Sequence, residues 1–227
     1  MRVARRSGWL IKAAVGVAAL GVVGVLFVRS ARSVRAEPFE VSRESLGRWT
    51  LAIEPASSPS GVVLGLRPQQ ALAAALFHDL FARTGESLNG PVPPAMPLIL
   101  QSDLDARAAG TLSPEALLAL ARAAGFESAA LEPRCMGERR VSAPGITRQV
   151  YFVLFDVPGF DGFRRQVSQR LRDAGGGTSF DPAAQSPALI VAASDAAFSR
   201  WLPLRADADK DCFAPIVTRQ SLVPTNP

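Results

Sequence analysis

Reactive side chains are scarce in this chain. Its 227 residues include one His, two Lys and two Cys. A metal centre built on imidazole and thiolate takes three or four such ligands, and a Cys–His pair needs both partners in one place. The composition therefore leaves almost no material for either, and we expect neither metal nor cofactor. No CxxC occurs, which excludes a dithiol redox motif. No internal repeat is visible, so a solenoid is excluded as well.

Net positive charge is also missing from most of the chain, despite 25 Lys+Arg against 20 Asp+Glu. Residues 1–36 hold Arg2, Arg5, Arg6, Lys12, Arg29, Arg32 and Arg35 and no acid. All 20 acids therefore fall beyond residue 36, with 18 basic groups, and that part is net negative. A nucleic-acid-binding body needs a positive field to neutralise phosphates. This one lacks it, so no nucleic-acid partner is expected.

What is present begins with an apolar run. Residues 8–28 carry one charge, Lys12, and as a helix they would extend about 31 Å, close to a bilayer's hydrocarbon thickness. The run predicts a transmembrane anchor over 8–29, with Trp9 and a snorkelling Lys12 at the interface and the lipid bilayer as a partner. A short cytoplasmic tail, 1–7, would precede it and a juxtamembrane linker, 30–48, would follow. With the N-terminus inside, both cysteines reach an oxidising compartment, which predicts a single-pass protein with an extracytoplasmic, periplasmic domain over 49–219 and a tail over 220–227. Gly16, Gly21 and Gly24, with Ala14 and Ala18, offer small-residue spacing for a homodimer through the membrane helix. The alternative is a signal peptide cleaved after Val34-Arg35-Ala36, which would release a secreted soluble binding domain.

The body alternates strand-like and helix-like segments. Trp49–Glu54 and Val62–Leu66 read as strands. Leu72, Leu76 and Leu80 recur at helical spacing in a helix over 68–83 that Gly85 closes. Residues 86–97, ESLNGPVPPAMP, contain four prolines and read as a long loop. Leu98–Leu100 is a short apolar piece with no period to type it. Ser113-Pro114-Glu115 starts a helix that reaches Ala124, with Gly125 at its end. Two strands follow, over 128–136 and 148–156, joined by GERRVSAPGIT. Asp161 is expected to cap a helix over 161–174, which GGG over 175–177 ends. A strand over 188–193, a short helix over 195–201 and a strand over 213–218 complete the chain. The order from 113 to 219 predicts an α+β fold of the ferredoxin-like, split βαβ kind, with helices on one face of a mainly antiparallel sheet.

Four constellations bear on chemistry. Cys135 and Cys212 are 77 positions apart, and a disulfide between them would remove about 4–5 kcal/mol of chain entropy from the unfolded state. It would bring Asp207, Asp209 and Asp211 towards Arg134, Arg139 and Arg140. The DADKD run itself places Asp at calcium-loop positions 1, 3 and 5, but Cys212 and Thr218 stand where Gly and Glu are required, so it reads as a solvated acidic turn. His78 and Ser87 are the candidate catalytic pair of a hydrolase acting near the proline-rich loop. At about 100° per residue, Arg164, Arg165 and Arg172 fall within one arc of about 100° on their helix and form a candidate partner-binding face. Together these readings predict a non-catalytic interaction or assembly module of the cell envelope that docks a protein partner at the membrane. The hydrolase and the secreted binding domain are the alternatives.

Overall fold

The chain divides into two compact units, residues 1–37 and 38–227. The computed structural model describes residues 15–17, 20–24, 34–55, 60–104, 112–175 and 180–220. In the first unit, residues 15–17, 20–24 and 34–36 are helical. No helix among the described residues is long and apolar enough to cross a membrane. That overturns the predicted anchor at 8–29, and with it the single-pass topology and the extracytoplasmic placement. Hydropathy records composition alone, whereas a span requires about 20 consecutive helical residues. The tail 1–7, Trp9, Lys12, Ala14, Ala18 and residues 221–227 lie outside the described residues.

Among its described residues the second unit contains eight strands in two sheets. They are β1 (Phe39–Ser42), β2 (Thr50–Ile53), β3 (Val62–Arg67), β4 (Met96–Leu100), β5 (Glu132–Ala143), β6 (Ile146–Asp156), β7 (Ala188–Ala193) and β8 (Cys212–Arg219). The larger sheet has the order β1-β8-β5-β6-β7 and the smaller one β2-β3-β4. All pairings are antiparallel except β1 with β8, so the larger sheet is mixed. Five helices accompany them: α1 (Arg43–Leu46), α2 (Gln70–Thr84), α3 (Pro114–Ala123), α4 (Phe160–Asp173) and α5 (Ala208–Asp211). Two 3-10 turns, Gln101–Asp103 and Phe198–Trp201, fall between elements.

The α+β class stands, but the ferredoxin-like order does not. In a split βαβ unit, a helix links two parallel strands that enclose a third. Here α4 links β6 to β7, which are adjacent and antiparallel. The one parallel pair comes instead from β1, within the segment 30–48 that reads as a linker. Phe39 and Val41 alternate into the core while Glu40 faces out, the period-2 signature of a half-buried strand. Four residues are too short a pattern to stand out in sequence.

Local chemistry explains most element boundaries. Leu72, Leu76 and Leu80 are all buried on one stripe of α2. Gly85, at φ 62°, donates its N–H to Phe81 O and ends that helix in the left-handed conformation glycine tolerates. Ser113 caps α3 by accepting the Ala116 N–H, with Pro114 in the first turn as predicted. The cap of α4 is Gly159, not Asp161. GERRVSAPGIT is a correction too. It is part of one β5–β6 hairpin whose pairing runs from Glu132 with Asp156 to Ala143 with Ile146. Its turn is Pro144-Gly145.

Helix α2 packs on β1 and β7 of the larger sheet, α3 on β2 and β3, and α4 on β4. The main core, including Leu64, Leu66, Leu98, Tyr151, Val153 and Val167, lies between these layers. A smaller cluster around Phe152, Ile190 and Trp201 covers the opposite face. The two sheets approach each other at β4 and β7, and the proline-rich loop crosses there.

Candidate functional site

The proline-rich loop is a ridge fastened at one end to the sheet. Asn89 donates its N–H to Ala193 O at 2.8 Å and accepts the Ala193 N–H at 2.9 Å, so it pairs with the edge of β7. Gly90 follows, and a Cβ there would touch the Phe77 ring at 3.4 Å, which brings the ridge close against α2. From Gly90 the chain reads Pro91-Val92-Pro93-Pro94-Ala95 before entering β4. Three of these residues have no N–H to satisfy and a fixed φ, and the segment bends at Val92 and Pro93 without joining a ladder. Val92, at its crest, is 93% exposed.

A recess lies on each side of the ridge. The first, about 300 Å³, is formed by Val62, Pro97, Ile190, Phe198 and Leu202 with Glu54 and Ser60. The second, about 550 Å³, lies against α2, where Ala73, Ala74, Phe77 and His78 face the ridge. Their walls are mainly aliphatic and aromatic. One ion pair serves both. Glu54 lines the first recess and Arg67 the second. Glu54 Oε1 accepts from both Arg67 Nε, at 3.0 Å, and Arg67 Nη2. Although only 8% exposed, Glu54 is thus neutralised by its partner.

The predicted site residues are dispersed. His78 stands exposed on α2 at the second recess, while Ser87 is exposed beyond the helix and is not part of that wall. No hydrogen bond joins them. The adjacent acid, Glu86, is bound to the sheet, accepting from the Tyr151 hydroxyl at 2.6 Å and from the Gln149 amide. Cys135 and Cys212 form a disulfide, with Cα atoms 5.8 Å apart. It joins β5 to β8 where the strands already pair. Of the arginines expected around the acidic run, Arg139 alone meets it, reaching Asp211 at 2.7 Å and Arg205 O. Arg134 pairs with Asp156 and Arg140 with Glu138. The Glu138 hydrogen bond raises the Arg140 pKa above its ordinary value. Asp207 caps α5, and the hydrogen bond from Lys210, with that of the Asp209 N–H, holds its carboxyl below the ordinary aspartate value.

The arginine face on α4 needs correction. Arg165 and Arg172 are exposed, but Arg164 is 0% exposed. Its guanidinium donates to Asp103 from both terminal nitrogens, Nη1 at 3.0 Å and Nη2 at 3.2 Å, and also from Nη1 to Leu98 O and from Nε to Pro182 O. It holds the core together and presents nothing to a partner. Among the described residues no group of three or more His, Cys, Asp or Glu is placed to hold a metal ion. The ridge and its recesses carried one signal in the sequence, the cluster of prolines; their walls come from residues far apart along the chain, which no spacing reveals. No protein-family model matches this chain, nor does any curated protein or solved structure.

Proposed function

We propose that this protein is a non-catalytic protein-interaction module whose contact face is the ridge 90–95 and the two recesses beside it. The observation that carries this reading is Val92, almost wholly in solvent on a crest between two apolar hollows. Exposed apolar surface arranged around a relief of this kind marks interaction sites. The ridge is also inexpensive to order, because proline has already fixed its φ angles, and binding loses little further freedom there. Nothing comparable supports the hydrolase alternative, since Ser87 and His78 share no hydrogen bond and no acid orients either.

A photo-crosslinking residue placed at Val92 tests the proposal. It is expected to capture a defined protein that the same residue at exposed Arg170, on α4, does not. Val92→Glu is then expected to weaken binding of that purified protein by at least about tenfold, the scale of a central interface residue. Equal capture from both positions, or an affinity unchanged by Val92→Glu, would overturn it.

A further inference from the structure

The first recess has a chemical preference of its own. Its polar groups are Glu54 and Ser60. Glu54 Oε1 is occupied by Arg67, whereas Oε2 takes no hydrogen bond from any described residue. Ser60 Oγ already accepts the Val62 N–H at 3.2 Å. The recess thus contains a carboxylate that is more than nine-tenths buried, with one oxygen left to accept. Around it stand Val62, Ile190, Phe198 and Leu202. That carboxylate oxygen still meets solvent in the recess, where a ligand's donor would take the place of water.

The missing group is a neutral donor on an apolar body. An ammonium is disfavoured because Arg67 has cancelled the charge of Glu54, so a further cation would add net charge to an apolar hollow. A hydroxyl brings acceptor lone pairs as well, and among the described lining residues Ser60 alone has a hydroxyl to answer them. Indole is a donor only, and its ring is otherwise apolar. The volume of about 300 Å³ sits at the small end of ligand pockets and suits one bicyclic ring.

We propose that this recess receives a single tryptophan side chain from the partner protein, its indole N–H donating to Glu54 Oε2 and its ring stacked among Ile190, Phe198 and Leu202. The inference rests on the interaction reading and specifies the partner's anchor. It also makes Glu54 a recognition residue, with Arg67 holding it in place.

Indole itself is the probe, titrated into the full chain labelled with nitrogen-15. It is expected to shift the amide signals of Val62 and Ile190. Benzothiophene, the same bicycle with sulfur in place of N–H, is expected to bind at least about tenfold more weakly, the cost of losing a hydrogen bond to a charged acceptor. Ala196→Trp, a change at an exposed residue of the recess wall, is expected to abolish the shifts by filling the space. Benzothiophene binding as tightly as indole, shifts confined to other residues, or no binding of indole would each overturn the proposal. Any of those results would leave the ridge reading standing, because crosslinking from position 92 requires no indole. Indole binding as expected without an effect of Val92→Glu would sink the ridge reading alone.

Discussion

Arg164 shows how far a single residue can depart from what its chemistry suggests. It lies on the side of α4 shared with Phe160, Phe163, Val167 and Leu171, all buried. The helical period placed it one turn from Phe160 and from Ser168, both in the core; only its charge argued for solvent. The charge is tolerated because Asp103 sits opposite it and backbone oxygens complete its hydrogen bonds, while Phe180 lies 4.7 Å below the guanidinium carbon. Asp103 in turn accepts the Leu100 N–H at 2.9 Å. Truncating one partner leaves the other charge buried and alone. Arg164→Met is expected to cost about 3–5 kcal/mol in urea unfolding, with Arg164→Met/Asp103→Asn costing less than the two single changes combined. Additive losses would show that the pair is not coupled. No sequence pattern marks residues 103 and 164 as neighbours, so this contact was legible only in three dimensions.

Elements were legible where an apolar run or stripe was long enough to show a period; β4, buried at every position, was too short. Strands β3 and β7, apolar at nearly every position, and helices α2 and α3, with clear stripes and caps, fell close to their expected bounds. The outer half of the β5–β6 hairpin did not. Residues 138–143 carry Glu, Arg, Arg and Ser with little alternation of polarity, because that half of the ribbon extends beyond the strands that flank its base. Its base is tightly made. The Phe152 ring lies over Gly137 on the neighbouring strand, where a Cβ would fall 2.5 Å from Cε2. Gly137→Ala is therefore expected to destabilise by about 1–3 kcal/mol, as overpacking does. Gly162→Ala in α4 meets nothing within 4 Å and is expected to stabilise by up to about 1 kcal/mol through helix propensity. Thermal unfolding of both variants separates close packing from backbone freedom. If Gly137→Ala were silent, the ring would have space elsewhere.

At the scale of the whole molecule, class was readable and topology was not. Counting helices and strands gives α+β; which strands lie side by side depends on pairings such as β1 with β8, which join residues near 40 to residues near 217. The disulfide joins that same strand to β5. Because it closes 77 positions but crosses strands already hydrogen-bonded, its contribution belongs mostly to the unfolded chain. Cys135→Ser/Cys212→Ser is expected to lower stability by about 2–4 kcal/mol with the far-ultraviolet circular dichroism unchanged. Loss of that signal would mean that the covalent bond creates the sheet and does not merely secure it.

The position of β8 between β1 and β5 has a further consequence. Of the described strands of the larger sheet, β8 is the latest in sequence, and it separates β1 from the rest. While the ribosome still holds residues 212–219, β1 has no neighbour to zip onto and the flank of β5 stays open. A nascent chain of this protein can assemble its hairpin early, but it cannot shut the larger sheet until residues 212–219 have emerged.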